Sequence, residues 1–248
     1  MVECTSVGIT LPEAYHNALC KLNLLGRIAN CPDYNTVQKE ISMTMTVLCP
    51  LADPMISRMI PCGTRELEQY CMEMLDGILD FEVEKGNWVY TYHQRMVDQF
   101  DFIVKELTRN PDSRRAVIVV RDKEKDIGSS DPACLQHIQY FIRKGELDCK
   151  VLFRSNDSVK ATFMNAFALI MLQKRFADQL GVEMGTYTHR ANSFHVYERD
   201  FGLLESYVKR IKKSKLDDIT FDYKDDWEVM MAEDRKRILR DVEVLKGR

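Results

Sequence analysis

The alternation of apolar and polar positions divides the chain into predictable segments. Ile41, Met43, Met45 and Val47 alternate with Ser42, Thr44 and Thr46, which is the two-residue period of a strand with one buried face. Residues Pro12 to Leu25, with Ala14, Leu19, Leu22 and then Ile28, carry apolar side chains at helical spacing, as do Arg65 to Ile78. Both predict amphipathic helices. Asp98 to Leu107 predicts another, which must stop by Asn110-Pro111 because proline disfavours helix in the residue before it. Ala116 to Val120 is β-branched and reads as a central strand. Leu135 to Ile142 and Leu147 to Phe153, joined by Arg143-Lys144-Gly145-Glu146, predict a hairpin. Asn165 to Leu180 is the most apolar helical stretch, closed by Gly181, and predicts a buried central helix. Ser193 to Tyr197 reads as a short strand, and Phe201 to Lys213 and Trp227 to Leu245 as charged surface helices. The expected fold class is α/β of the α+β type, a mixed sheet flanked by helices. No repeat, low-complexity tract or linker-like run interrupts residues 1–248, so a single domain is expected.

Charge narrows the function. Lys and Arg number 35 against 38 Asp and Glu, a net charge of -3 over 248 residues, which gives no electrostatic case for nucleic-acid binding. Any bound anion must be gripped locally. The longest apolar run, Phe163 to Leu172, is broken by Asn165 and is too short for a bilayer. Met1-Val2-Glu3-Cys4 lacks the order of a secretory signal, so a cytoplasmic location is expected. The eight cysteines, at 4, 20, 31, 49, 62, 71, 134 and 149, form no CxxC pair and no zinc-type combination with histidine. Neither a metal nor a disulfide scaffold is expected, and most of these thiols should be small buried hydrophobes.

Cys134 stands apart. It lies in Asp131-Pro132-Ala133-Cys134-Leu135-Gln136, after the loop Lys123 to Ser130 and at the start of a strand, where a thiol can reach solvent. The hairpin's second arm ends in Arg154-Ser155-Asn156-Asp157, which brings a guanidinium back toward that thiol. There it would favour thiolate and could fork onto a phosphate. His195 and Tyr197, two residues apart on one strand face, can hydrogen-bond a single sugar hydroxyl. Each feature alone has an ordinary reading: a structural cysteine, a solvated strand end, a core His-Tyr pair. Arg114 and Arg115 are adjacent and face opposite ways in a regular strand, so alone they read as surface charges.

Together with Asn165, Ser193-Phe194-His195-Val196-Tyr197 and Asn110-Pro111-Asp112-Ser113-Arg114-Arg115, these segments resemble the thymidylate synthase and pyrimidine-nucleotide hydroxymethylase family. Cys134 precedes Arg154 by twenty residues, Asn165 by thirty-one and His195 by sixty-one, intervals similar to the family's own. The resemblance covers Thr91 to Phe201 well and the first ninety residues loosely. Tyr90-Thr91-Tyr92 and the compact length look like the short archaeal-type branch.

The resemblance implies a homodimer whose sheets pack back to back, with Arg114 and Arg115 reaching the partner's phosphate site. It implies that the Cys134 thiolate adds to C6 of a pyrimidine nucleoside monophosphate, making C5 a nucleophile toward a one-carbon unit. Arg154 and Ser155, with the two partner arginines, would hold the phosphate. Asn165 would read the O4/N3 edge, and favours uracil because deoxycytidylate hydroxymethylases carry Asp at that position. His195 and Tyr197 would bind the sugar 3′-hydroxyl. Asp157 would contact the pterin ring of a co-substrate, 5,10-methylenetetrahydrofolate or a related reduced pterin. Glu68 matches a water-ordering glutamate, with Glu66 competing. Tyr92, or else Tyr90, matches a tyrosine near the site of C5 proton abstraction.

The chain also departs from the family pattern. Leu135 and Phe153 replace a histidine and a glutamine of common synthases, and Val242 to Arg248 is basic and helical rather than an apolar closing tail. No tryptophan precedes Trp88, so a ring that flanks the hydride-transfer intermediate lacks a clear counterpart. A sealed site yields a methyl group, whereas an open one admits water and yields hydroxymethyl. The first expectation is therefore a thymidylate synthase converting dUMP to dTMP, and its rival is a 5-hydroxymethylase acting on dUMP or a cytidine nucleotide. A Cys/His hydrolase using Cys134 and His195 ranks lower, since it would not need Arg114, Arg115, Arg154 and Asn165 together. A catalytically silent nucleotide-binding homologue is the remaining alternative.

Overall fold

The computed structural model describes residues 1–247. In chain order its elements begin β1 (Glu3–Gly8), α1 (Leu11–Leu25), β2 (Arg27–Cys31), β3 (Thr36–Val47), β4 (Ile56–Ser57), α2 (Thr64–Asp76), α3 (Phe81–Glu84), α4 (Tyr92–Met96), α5 (Phe100–Arg109) and β5 (Val117–Val119). They continue with α6 (Lys123–Asp126), β6 (Leu135–Arg143), β7 (Glu146–Asp157), α7 (Thr162–Leu180), β8 (Glu183–Tyr197), α8 (Phe201–Lys213), β9 (Thr220–Phe221) and α9 (Glu228–Lys246). The main sheet runs β1-β3-β8-β7-β6-β5, with β2 paired to the first half of β3. The pairs β1/β3 and β7/β8 are parallel and the others antiparallel, so the sheet is mixed as expected.

Most periodic segments fold as predicted, but Ala116 to Val120, expected as a central strand, forms β5 at the edge of the sheet, and Ile28, counted with the first helix, is exposed in β2. Gly77 and Gly181 end α2 and α7 in the left-handed region, at φ 64° and 65°, where a residue without Cβ carries no steric cost. Five strands escape the apolar pattern, among them β4 and β9, which pair only with each other over two residues. β1 alternates in burial, but its inward positions are Cys4, Ser6 and Gly8, and β2 has no fully buried residue. β8 begins ten residues earlier than Ser193, and its inward positions there include Gly185, Tyr187, His189 and Ala191. Small and polar side chains do not register as a hydrophobic stripe, although each is enclosed.

One face of the sheet is buried. Met43 and Met45 of β3, Val151 and Phe153 of β7 and Ile138 and Tyr140 of β6 pack beneath the helices, with α7 against β7 and β8. Phe176 of α7 meets Tyr140 and Phe100 edge-on, with ring centroids 5.1 and 5.4 Å apart, an arrangement the ring quadrupoles favour. The alternate residues Thr44, Thr186, Thr188, Gln139 and Leu152 remain partly exposed on the other face. The cysteines are less enclosed than expected. Only Cys4, Cys71 and Cys149 are fully buried, while Cys49 is exposed and the rest, Cys134 among them, are half-buried.

Two histidines lie within this core. His16 Nε2 is 2.7 Å from Ser57 Oγ. His189 Nε2 is 2.9 Å from Asn156 Oδ1, and its Nδ1 is 3.0 Å from the Tyr187 hydroxyl. An amide oxygen only accepts, so His189 carries its proton on Nε2 and takes one from Tyr187 at Nδ1. Burial lowers the pKa of His16 to about 4 and that of His189 to about 3. In the unfolded chain both take up a proton near pH 6.5. Between those limits the unfolded state binds more protons, so stability falls as pH drops through the window. Thermal melting should show Tm declining from about pH 6.5 to pH 4, less steeply in His189→Gln than in the wild type. Identical slopes would contradict this assignment.

Candidate active site

The sheet brings the ends of β6, β7 and β8 to one edge of α7. Because β7 and β8 are parallel and in register, Ser155 lies opposite Ser193 and Asp157 opposite His195. β6 carries an extra residue against β7 between Leu135 and His137. Such a bulge redirects the adjacent side chains, and Cys134 stands immediately before it. A cavity of about 310 Å³ opens here. Its wall includes Cys134, Arg154, Ser155, Asp157, Asn165, His195, Tyr197 and Tyr92. The sequence-predicted residues from five separated segments thus meet around one space.

Arg154 ties the loop that carries Cys134 to the sheet. Its Nη2 donates to the Pro132 carbonyl at 2.7 Å and its Nε to the Ala133 carbonyl at 3.2 Å. Its backbone N–H donates to the Cys134 carbonyl at 2.8 Å. Nη1 makes no protein hydrogen bond among the described residues and remains available to an anion. Burial pushes the Cys134 thiol above its ordinary pKa, the Arg154 charge opposes that shift, and Asp131 adds to it. The resting sulfur is therefore a thiol at neutral pH.

His195 Nδ1 lies 3.2 Å from the Ser193 carbonyl and 3.3 Å from Ser155 Oγ. A carbonyl can only accept, so the proton sits on Nδ1 and Nε2 is an acceptor. Nε2 is buried with no protein partner, and burial depresses the ring's pKa, with Asp157 and Glu40 opposing. The neutral imidazole thus lines the cavity with Nε2 as an unpartnered acceptor sealed behind its surface. The Tyr197 ring stands edge-on to it, 4.8 Å away. Asp157 uses Oδ1 to accept from the Val159 and Lys160 N–H groups at 3.0 and 2.9 Å, which shapes the turn into α7. Its Oδ2 is free within the described chain. Burial raises the pKa of this carboxyl, and the two backbone N–H groups and His195 counter it. Asn156 is anchored from behind by His189 and by Thr162 Oγ1, 2.9 Å from its Oδ1.

Four predicted residues do not join this cavity. Glu68 lies on the opposite face of α2, where Arg235 Nη1 of α9 donates to its Oε1 at 3.3 Å beside a separate cavity of about 150 Å³. Glu66 accepts from the Gly63 N–H at 2.9 Å and caps the start of α2. The reason is helical phase: each residue turns the helix by about 100°, so Glu68 points about 200° away from Tyr70, which does face the cavity. Arg114 and Arg115 are exposed, just before the edge strand β5, and line no part of the cavity in this chain.

Other residues were not anticipated. Tyr70 lines the cavity, and its hydroxyl donates to Asn165 Oδ1. Glu73, one turn further along α2, lines an adjoining cavity of about 430 Å³ together with Trp88, Tyr90 and Asp131. Tyr70 and Tyr92 border both spaces. The Glu73 carboxyl accepts from Gln69 Nε2 at 2.9 Å, and burial raises its pKa. Tyr34, from the turn between β2 and β3, stands at the mouth with its ring 5.4 Å from Tyr197. Tyr70 was detectable from its phase: it falls between Leu67 and Met74 on a buried stripe. Tyr34 gives no such signal. No group of three or more metal-type ligands occurs among the described residues, and no helix there is long and apolar enough to cross a membrane.

Comparison with known proteins agrees with this geometry. Residues 69–239 match the model of the family described as thymidylate synthase. A protein of Methanocaldococcus jannaschii named "Putative thymidylate synthase" is 30% identical over 213 residues, covering 82% of this chain and 96% of its own length. A Methanosarcina barkeri protein of the same name is 27% identical over 204 residues, covering 82% and 93%. The solved structure of thermostable thymidylate synthase A from Bacillus subtilis superposes with a TM-score of 0.66 over 87% of this chain and 96% of that one, at 16% identity, a likeness of fold. With a family model matching well over half of its length, the chain belongs to the thymidylate synthase family.

Proposed function

We propose that this enzyme methylates dUMP to dTMP in the cytoplasm, with Cys134 as nucleophile and a methylenetetrahydrofolate-type pterin as co-substrate. The observation that carries the reading is the half-buried Cys134 thiol facing one cavity with Arg154, Asn165 and His195. Family membership supports the coarser chemistry, one-carbon transfer to a pyrimidine nucleotide.

The pyrimidine ring enters with C6 over the Cys134 sulfur and the phosphate toward Arg154 Nη1 and Ser155. The Cys134 thiol gives its proton to solvent as the sulfur adds to C6, which breaks the C5–C6 double bond and moves charge to O4, where the Asn165 amide donates a hydrogen bond. C5 then forms the new carbon–carbon bond and loses its proton to solvent water, and expulsion of the sulfur as thiolate, which regains a proton from solvent, restores the ring and the free thiol. Tyr92, beside Tyr90, lies on the C5 side, and burial keeps both phenols protonated as donors. His195 Nε2, sealed in this structure, accepts a hydrogen bond from the sugar 3′-hydroxyl once the cavity wall shifts to uncover it, with Tyr197 beside it. The pterin supplies the one-carbon unit and, for a methyl product, the hydride. The residues present fit such a group: Asp157 offers an unpartnered Oδ2 to ring N–H donors near the aromatic wall of Tyr197 and Tyr34. Glu73 replaces Glu68 as the α2 carboxylate on this side of the helix.

One observation favours hydroxymethylation as the second reading. The C-terminal helix packs on α2 through Thr64–Asp234, at 2.8 Å, and Arg235–Glu68, and Lys85 holds the carbonyls of Leu245 and Lys246 at 2.9 and 3.0 Å. It therefore does not cover the cavity, and water could intercept the exocyclic carbon.

Mass spectrometry of the product from dUMP and methylenetetrahydrofolate separates the two: gain of CH2 is expected, and gain of CH2O would defeat the synthase reading. Cys134→Ser should lower turnover by about 10³-fold or more. Activity near the wild-type level would remove Cys134 from the mechanism.

The partly exposed sheet face supports a back-to-back homodimer, with Arg114 and Arg115 completing the partner's phosphate site. Light scattering should give twice the chain mass at micromolar concentration, and a monomer there would contradict it.

A further inference from the structure

We propose that Tyr70 is the residue that makes this site discriminate uracil from cytosine, by holding the Asn165 amide with its oxygen toward the phenol and its nitrogen toward the cavity. The inference rests on the reading of the cavity as a pyrimidine-nucleotide site.

A side-chain amide has nearly the same shape in its two orientations, and rotating it by a half turn exchanges donor for acceptor. Uracil presents an acceptor at O4 beside a donor at N3, and cytosine presents an amino donor beside an acceptor. An unanchored asparagine can therefore read either base at the cost of a rotation. A fixed one reads a single base, because the wrong base then meets donor with donor.

Asn165 sits in the first turn of α7, its N–H bonded to the Ala161 carbonyl at 2.9 Å, and is 4% exposed. Its Oδ1 accepts the Tyr70 hydroxyl proton. Its Nδ2 makes no protein hydrogen bond among the described residues and is not among the sealed, unpartnered atoms, so it fronts the cavity. The reversed amide would turn Nδ2 to the phenol and strip the Tyr70 proton of its protein acceptor, since the hydroxyl has no other partner among the described residues. Leaving a donor unmatched in this enclosed wall is what makes that orientation unfavourable.

The anchor is itself held. Burial and the Glu73 carboxylate one turn along the helix keep the Tyr70 phenol protonated, so it donates throughout the working pH range. The far face of α2 is pinned to α9 by Arg235, which pairs with Glu68 and Asp76. Asp76 in turn receives Arg175 of α7 at 2.7 Å, tying together the two helices that carry Tyr70 and Asn165.

Tyr70→Phe removes one oxygen and keeps the ring. Equilibrium binding of dUMP and dCMP, by calorimetry, is the direct test, because it does not depend on turnover. The dUMP-over-dCMP preference of the wild type should fall about tenfold in Tyr70→Phe. In an Asn165→Asp background, where the two carboxylate oxygens are equivalent, adding Tyr70→Phe should leave the preference unchanged. A purely structural tyrosine would weaken both nucleotides alike, and an unchanged wild-type preference in Tyr70→Phe would overturn the inference. So would an equal loss of preference in both backgrounds. A wild-type protein that binds neither nucleotide would instead sink the reading of the cavity itself.

Discussion

The contact between the Arg154 guanidinium and the carbonyls of Pro132 and Ala133 is the constraint on which the site depends. It fixes the two residues before Cys134, while the Arg154 backbone N–H fixes the Cys134 carbonyl. The sulfur's position is thus set by the same side chain that supplies the nearest positive charge. Charge-assisted hydrogen bonds of this type are stronger than neutral ones. With two donors on the loop, Arg154 keeps a third nitrogen for an anion. Orientation of the loop, opposition to the thiol's burial penalty and anion binding converge on one residue.

Around that contact the sheet provides the remaining precision. The parallel register of β7 and β8 sets Asp157 beside His195, so a carboxylate and an imidazole are neighbours at one strand level. The crossover helix α7 begins immediately afterwards and delivers Asn165 from above. Behind them, the chain from Tyr187 through His189 to Asn156 fills hydrogen-bonding capacity beneath the site. Such satisfied buried networks rigidify a wall. α2 closes the opposite side with Tyr70, and its own outer face is locked by α9.

Much of this was legible in the sequence, for physical reasons. The spacing of Cys134, Arg154, Asn165 and His195 survives in three dimensions because a hairpin, a crossover helix and a parallel strand impose fixed lengths between them. The β3 alternation and the apolar α7 likewise follow from one-sided and near-complete burial. What could not be read was the choice between two buried faces. α2 is sandwiched between the cavity wall and α9, so it has enclosed residues on both sides, and Glu68 looked like a site carboxylate when its partner is Arg235. The early part of β8 was invisible because its inward side chains include a glycine, a histidine and an alanine. Arg114 and Arg115 leave the chain's own cavity altogether, and only a second copy could give them a place in it.

The proposed chemistry requires the Cys134 sulfur to form a bond to a pyrimidine. Incubation with 5-fluoro-dUMP and methylenetetrahydrofolate, followed by intact-mass measurement and peptide mapping, tests this most directly. The expected result is one covalent adduct per chain, carried by the peptide that contains Cys134. An unmodified protein, or an adduct on any of the other seven cysteines, would contradict it.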